Sequence, residues 1–210
     1  MVSVSKRLKE RKAEFSVTHR ILELGQQPIS IEMFLAQALK MVFQIPRLAL
    51  EPKGSVYLVS DETPGCLERI AVIGVKDLLR DHCAVVELDQ CLCGKAARKK
   101  RIFFHKALRP DHSDYPCGVP DHGYFCVPIL HRERLLGVIN LYVPTGYRRR
   151  KADENFFQAC AQAIASVIER KKVKARLQQE ILVDPLTRTF HRLSFIEILE
   201  KTKKKGARQG

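Results

Sequence analysis

Apolar residues recur with helical spacing in the first quarter of the chain. Over residues 3–24 they form a narrow stripe at near-heptad intervals, which is typical of a seam between two helices rather than a broad core face. The members of this stripe are Val4, Leu8, Phe15 and Leu22. Residues 30–44 carry a fuller apolar face with the i, i+3, i+4, i+7 pattern, so they predict a core helix, which Ser30 caps.

A third helical pattern covers residues 152–182. Its first half has a wide apolar face suited to packing on a sheet, whereas its second half is highly charged and keeps only a sparse apolar stripe. This change predicts a helix that leaves the domain as a stalk. Pro185 ends the pattern because proline cannot continue a helix.

Between these helices, runs rich in β-branched and aromatic residues predict strands. The predicted strands are residues 55–60, 69–75, 85–88, 102–104, 124–130 and 135–143. Residues 90–100 predict a short helix, and residues 105–123, with three prolines and two glycines, predict a loop. The order of elements predicts an α+β domain with an antiparallel sheet and with helices from both chain ends packed on one face.

Charge and hydropathy limit the partners and the compartment. The formal net charge is +14, but the basic residues are spread over several helical or terminal segments without interleaved aromatic residues, so nucleic-acid binding is not expected. No apolar run reaches the roughly 18 residues of a membrane span. Residues 1–12 lack the apolar stretch of a signal peptide. We therefore expect a cytoplasmic protein.

The chain has seven cysteines, an odd number, and no export signal. A disulfide framework is not expected in that compartment. Each cysteine is then a small buried hydrophobe, a metal ligand or a reactive thiol, and the sequence leaves these roles open.

Three segments resemble the GAF domain family. They are residues 91–97 (C-L-C-G-K-A-A), residues 122–129 (H-G-Y-F-C-V-P-I) and residues 135–142 (L-L-G-V-I-N-L-Y). The resemblance implies a sensory domain over residues 30–168, in which a short helix and a loop cover a ligand pocket on the sheet face opposite the terminal helices. Residues 1–29 are then an N-terminal helix, and residues 169–183 a signalling helix.

Residues 184–192 (D-P-L-T-R-T-F-H-R) resemble the opening of a GGDEF-type diguanylate cyclase, usually D-x-L-T-G-L-x-N-R. Arg188 replaces the glycine, Thr189 the leucine and His191 the asparagine. The catalytic loop of that family lies far downstream, so residues 184–210 are interpreted as a truncated start without cyclase activity, and no enzyme is expected from this segment.

Five side chains are candidate ligands of one site: Cys91, Cys93, His112, His122 and Cys126. Thiolates and imidazoles favour zinc, iron or an iron–sulfur cluster. At a helix start, Cys91 and Cys93 can point to one place, where the helix N-terminus and nearby Lys95 would lower a thiol pKa. Simple core packing of Cys126 and surface roles for the two histidines remain open.

Three functions therefore remain. The first is a regulatory domain that binds a small effector, metal or redox centre, dimerises through its terminal helices and signals through the last one. The second is a dimerisation module with a vestigial pocket. The third is a free methionine-(R)-sulfoxide reductase, a compact GAF-like enzyme in which Cys93 would match the turn cysteine and Cys117 a second redox partner. Cys66, Cys83 and Cys160 lack the setting of a bilin anchor.

Overall fold

The computed structural model describes residues 4–75, 83–107 and 122–182. The chain divides into two units, residues 1–167 and residues 168–210. The helices are α1 (Val4–Leu24), α2 (Ile31–Phe43), α3 (Leu92–Lys99) and α4 (Lys151–Leu182), with a 3-10 turn at Pro46–Leu48. The strands are β1 (Gly54–Val59), β2 (Cys66–Ile73), β3 (Val85–Glu87), β4 (Phe103–His105), β5 (His122–His131) and β6 (Arg134–Pro144).

The six strands form one antiparallel sheet in the order β3-β2-β1-β6-β5-β4. Its longest strands form the hairpin β5–β6, which is buried over most of its length. Because side chains alternate between the two faces of a strand, a fully buried hairpin requires cover on both sides. The predicted α+β architecture with an antiparallel sheet is confirmed.

One face of the sheet packs on helices from both ends of the first unit. Phe125 of β5 lies against Phe157 of α4, with ring centroids 5.0 Å apart. Helix α2 contacts β1 and β2 and buries Phe34, Leu35 and Leu39. Its predicted cap is confirmed, since the Met33 amide donates to the Ser30 hydroxyl at 3.2 Å. The opposite face is covered by α3.

Helix α1 packs through a face other than the predicted stripe. It buries Val17, Ile21 and Leu24. Leu8 and Phe15 of the stripe are 69% and 72% exposed. The described residues thus leave Leu8, Phe15 and Leu22 of the predicted stripe exposed.

Strands β2 and β5 begin two or three residues earlier than predicted. Strand β2 begins at Cys66 rather than at residue 69, because its first residues pair with β3 in the register Cys66↔Glu87. Strand β5 begins at His122, which the sequence placed in a loop. The partner strand β6 continues to Pro144 and pairs with His122, so the ladder extends to that point.

Helices α1 and α4 are joined by an ion network around Arg47. The Arg47 guanidinium binds both Glu14 of α1 and Asp153 in the first turn of α4. The Asp153 side chain is fully buried and also accepts a hydrogen bond from the Tyr147 hydroxyl at 2.8 Å. A buried carboxylate needs such partners because an uncompensated charge is costly away from water. None of the described helices is long and apolar enough to cross a membrane.

Replacing Arg47 by methionine should lower the free energy of unfolding by roughly 3–5 kcal/mol, since Asp153 then stays buried without its cation. Urea denaturation of Arg47→Met measures this loss. The control is Lys53→Met, which removes a partly exposed pair with Glu51 and should cost less than about 1 kcal/mol. Equal losses in both variants would show that the network does not stabilise the fold.

Candidate functional site

The strand register places a row of polar and aromatic side chains on the sheet face under α3. Cys126 is paired with Asn140, and Tyr124 with Tyr142. Ser55 of β1 extends the row beyond Asn140. Since residues two apart along a strand share a face, His122, Tyr124 and Cys126 of β5 point to the same side. The intervening Phe125 points to the α4 side.

Helix α3 approaches this face closely because its residues there are small. Cys91 is its N-cap, and Cys93, Ala96 and Ala97 are buried. A Cβ at Gly94 would overlap the carbonyl oxygen of Glu87 on β3. Glycine at this position therefore allows the helix to rest on the edge of the sheet, as a cover over the row described above.

A small cavity of about 40 Å³ lies between α3 and the sheet. Three tyrosine rings form much of its wall, with polar groups from the central strands and α3. Its lining includes Tyr57, Tyr124, Tyr142, Ser55, Asn140 and Cys93. A cavity of this size holds a water molecule or a small group of atoms.

Asn140 is a buried polar side chain of this cavity whose carbonyl oxygen has no hydrogen-bond donor among the described residues. It is 8% exposed, and within the described residues its Oδ1 atom accepts no hydrogen bond. A buried acceptor left without a donor costs about 1–3 kcal/mol. Asn140 therefore provides a site for an N–H or O–H group entering the cavity.

Three of the candidate cysteines meet at one edge of the cavity. The Sγ atoms of Cys93 and Cys126 lie 3.5 Å apart, both buried. Cys91, which is partly exposed, contacts Cys93. Cys83 packs against the same cluster. We call Cys83, Cys91, Cys93 and Cys126 the thiol cluster.

The expectation that the helix start lowers the thiol pKa values is wrong for this cluster. Contact with Cys93, followed by burial, raises the pKa of Cys91, and these outweigh the opposing effect of the Gly94 and Cys93 amides. Contact with Cys126, together with burial, raises the pKa of Cys93. Both thiols are therefore protonated at neutral pH, because neighbouring thiols and an apolar setting disfavour the thiolate.

Of the two candidate histidines, only His122 lies within the described residues. His122 is 4% exposed in β5, and its ring lies 4.6 Å from that of Tyr142. It shares the cavity face with Cys126 but stands one step further along the strand than Tyr124. His112 and Cys117 lie outside the described residues. Within the described part of the chain, no group of three or more His, Cys, Asp or Glu side chains is arranged to hold a metal ion.

Sequence reasoning missed Asn140, the three tyrosines and the association of Cys83 with the other thiols. The alternation of β6 could have indicated Asn140, because this polar residue interrupts an apolar strand. Cys83 had no such signal, since it comes near the cavity only through the pairing of β3 with β2.

A larger groove of about 820 Å³ lies elsewhere, along α1 and the start of α4. Its lining includes Glu14 and Arg47, which bind each other, and the exposed Phe15. The groove is open to solvent and its central charges are already paired. The small cavity under α3 therefore remains the better candidate site, since it encloses polar groups from several elements.

The sequence model of the GAF domain matches residues 44–169. The chain belongs to the GAF domain family. No curated protein matches the chain by sequence. This GAF domain resembles the GAF domain of a phosphoenolpyruvate-protein phosphotransferase from Coxiella burnetii, with 17% identity and a TM-score of 0.64 over 79% of this chain and 98% of that one.

Two further structural relatives of the GAF domain are free methionine-R-sulfoxide reductases. The Staphylococcus aureus protein, in complex with its substrate, has 14% identity and a TM-score of 0.60 over 74% of this chain and 95% of that one. The Neisseria meningitidis protein, also with its substrate, has 16% identity and a TM-score of 0.60 over 78% and 93%. At these identities the likeness establishes the fold.

The raised pKa of Cys91 predicts slow alkylation of its thiol at neutral pH and a rate that keeps rising with pH beyond the usual cysteine range. Mass spectrometry after timed iodoacetamide treatment measures this rate. In Cys93→Ala the main cause of the shift is removed, so Cys91 should react faster at a given pH. The matched control is Cys160→Ala, which removes a buried thiol on α4. An unchanged rate in Cys93→Ala would contradict the assignment.

Proposed function

We propose that this GAF domain is a regulatory module that binds a small effector in the cavity under α3. The observation that supports this most directly is the buried Asn140 acceptor, which faces an enclosed space between the cover helix and the sheet. Polar groups converging on an otherwise apolar cavity are typical of ligand sites. The effector would act by stabilising one position of the cover relative to the sheet.

The lining of the cavity indicates the chemistry of the effector. The effector would supply an N–H or O–H donor for Asn140 Oδ1 and would place apolar atoms between the rings of Tyr57, Tyr124 and Tyr142. Burial raises the pKa of Tyr57, so its hydroxyl remains neutral over the physiological range. The small volume favours a compact molecule, and a larger one requires α3 to lift from the sheet.

Alternation along β5 supplies a route from the cavity to α4. Tyr124 lines the cavity and Cys126 faces the same side of the sheet, while Phe125 between them packs on Phe157. A shift of β5 on ligand binding would therefore move a contact on α4, which we propose as the signalling helix. Residues 184–192, which resemble the start of a GGDEF domain, lie outside the described residues, and an output of that type stays a prediction.

A more specific version of this proposal is that the bound group is a metal ion or a redox centre. Cys91, Cys93 and Cys126 are adjacent to the cavity, and His122 shares its face. Zinc, iron or an iron–sulfur cluster would need a further ligand, for which His112 is the sequence candidate. Metal binding would also require the loss of thiol protons that the cluster at present retains.

The sulfoxide reductases provide a second candidate function because they share the fold. Their chemistry requires a reactive thiolate near a resolving thiol. Here Cys93 is buried and its pKa is raised, which argues against the fast thiolate attack that catalytic turnover requires. The regulatory function is therefore better supported by the described residues.

We also propose that the domain forms a homodimer through α1. Leu8, Phe15 and Leu22 recur every seven residues and are exposed on one side of α1. Two such stripes can bury each other in a parallel two-helix seam. This arrangement would serve equally a dimerisation module with a vestigial pocket, so occupancy of the cavity decides between these two functions.

Protein purified without oxygen should retain about one small molecule or metal ion per chain at the cavity. Native mass spectrometry detects the molecule, and elemental analysis with a visible spectrum detects zinc or iron. Asn140→Leu should release a molecule held by hydrogen bonding, and a Cys91→Ser/Cys93→Ser double variant should release a metal.

The control for this experiment is a Cys66→Ser/Cys160→Ser double variant, which removes two buried cysteines outside the thiol cluster and should retain the bound group. Wild-type protein that carries neither molecule nor metal would contradict the proposal and favour a vestigial pocket.

Phe15→Glu should shift the protein from dimer to monomer at micromolar concentration, because it places a charge in the middle of the α1 stripe. Multi-angle light scattering measures the change. The matched control is Met33→Glu, at a residue 53% exposed on α2 and outside the stripe. A monomeric wild-type protein would contradict the dimer.

A further inference from the structure

Two thiols from distant parts of the sequence lie in contact beside the cavity. Cys93 belongs to the cover helix α3 and Cys126 to β5, and their Sγ atoms are 3.5 Å apart. A disulfide bond is about 2.0 Å long. An approach of about 1.5 Å between the cover and the strand would therefore suffice for a covalent link.

The cavity gives small reagents access to Cys93, the member of this pair that lines it. Cys91 and Cys93 line the cavity, and Cys91 is partly exposed. Its volume of about 40 Å³ admits a molecule of the size of hydrogen peroxide. Of the other described buried cysteines, Cys160 lies in α4 on the opposite side of the sheet and Cys66 begins β2.

We propose that Cys93 and Cys126 form a reversible disulfide that fixes α3 to β5 and holds the cover closed over the cavity. The inference rests on the proposed function, because the modification regulates access to the same cavity. Closing the cover would trap a bound effector or exclude a free one. The domain would thereby combine two inputs, ligand and oxidant, at one helix.

The reaction balances with hydrogen peroxide as the oxidant. The Cys93 sulfur attacks one peroxide oxygen, the O–O bond breaks, and a sulfenic acid and one water molecule form. The Cys126 sulfur then attacks the Cys93 sulfur. The S–S bond forms, the S–O bond breaks, and the hydroxyl leaves with the Cys126 proton as a second water molecule. A dithiol reductant reverses the link by returning two electrons and two protons.

The setting of the pair determines the rate. Cys93 is 6% exposed and Cys126 is fully buried, so burial limits the access of an oxidant to both sulfur atoms. The reaction is therefore slow under brief exposure. Such a pair responds to sustained oxidation rather than to a short pulse.

The test is peptide mapping of the full chain after treatment with hydrogen peroxide, alkylation of the remaining thiols and digestion without reductant. We expect a peptide pair joined through Cys93 and Cys126, two hydrogen atoms lighter than the separate peptides and cleaved by dithiothreitol. Cys160→Ser and Cys91→Ser should still form it. Cys93→Ala and Cys126→Ala should not, and far-UV circular dichroism verifies that these variants fold.

Two results would overturn the inference. One is absence of the Cys93–Cys126 product while other cysteines are oxidised, including a Cys91–Cys93 product in its place. The other is formation of the bond without at least a tenfold slowing of amide hydrogen exchange in α3, since the cover would then not be held.

Failure here is separable from failure of the proposed function. The bound group is measured on reduced protein, where no disulfide is present. A retained group without the disulfide leaves the regulatory proposal standing. A disulfide beside an empty cavity would contradict the bound effector but would still support the Cys93–Cys126 bond.

Discussion

The structure depends on the burial of β5 and β6 on both faces. A hairpin whose residues are nearly all buried cannot leave either side to water, so the chain must supply two separate layers of cover. The larger layer is built by α2 and the first part of α4, with Phe125 and Phe157 at its centre. Among the described residues, the second layer is the short helix α3, whose eight residues leave the cavity between the helix and the sheet.

The chemistry of α3 follows from its role as a thin cover. Gly94, Ala96 and Ala97 are small enough for the helix to rest on the sheet, and cysteine is the next smallest apolar choice. Packing alone thus brings Cys93 against Cys126. The close packing of α3 on β5 therefore also places the Cys93 and Cys126 sulfur atoms near enough for the disulfide that we propose.

The ends of the domain are joined by charge rather than by apolar packing alone. Arg47 links α1 to the start of α4 through two carboxylates, one of them fully buried. The network fixes where α4 begins relative to α1, while α1 still presents Leu8 and Phe15 to solvent. The chain therefore separates the internal contacts that anchor the helices from the exposed apolar side chains of α1, which we propose as a dimer surface.

The sequence by itself determined the helices, the approximate position of all six described strands and the α+β class, because helical and alternating periodicities are local properties of the chain. It also indicated that Cys91, Cys93 and Cys126 belong near a pocket, through the resemblance of residues 91–97 and 122–129 to the GAF family. Only the tertiary structure decided the register that places Asn140 and three tyrosines in the cavity, and the pairing that brings Cys83 to the thiol cluster. It also decided the direction of the thiol pKa shifts, since a helix start favours the thiolate whereas burial beside other thiols disfavours it, and burial is not a local property of the sequence.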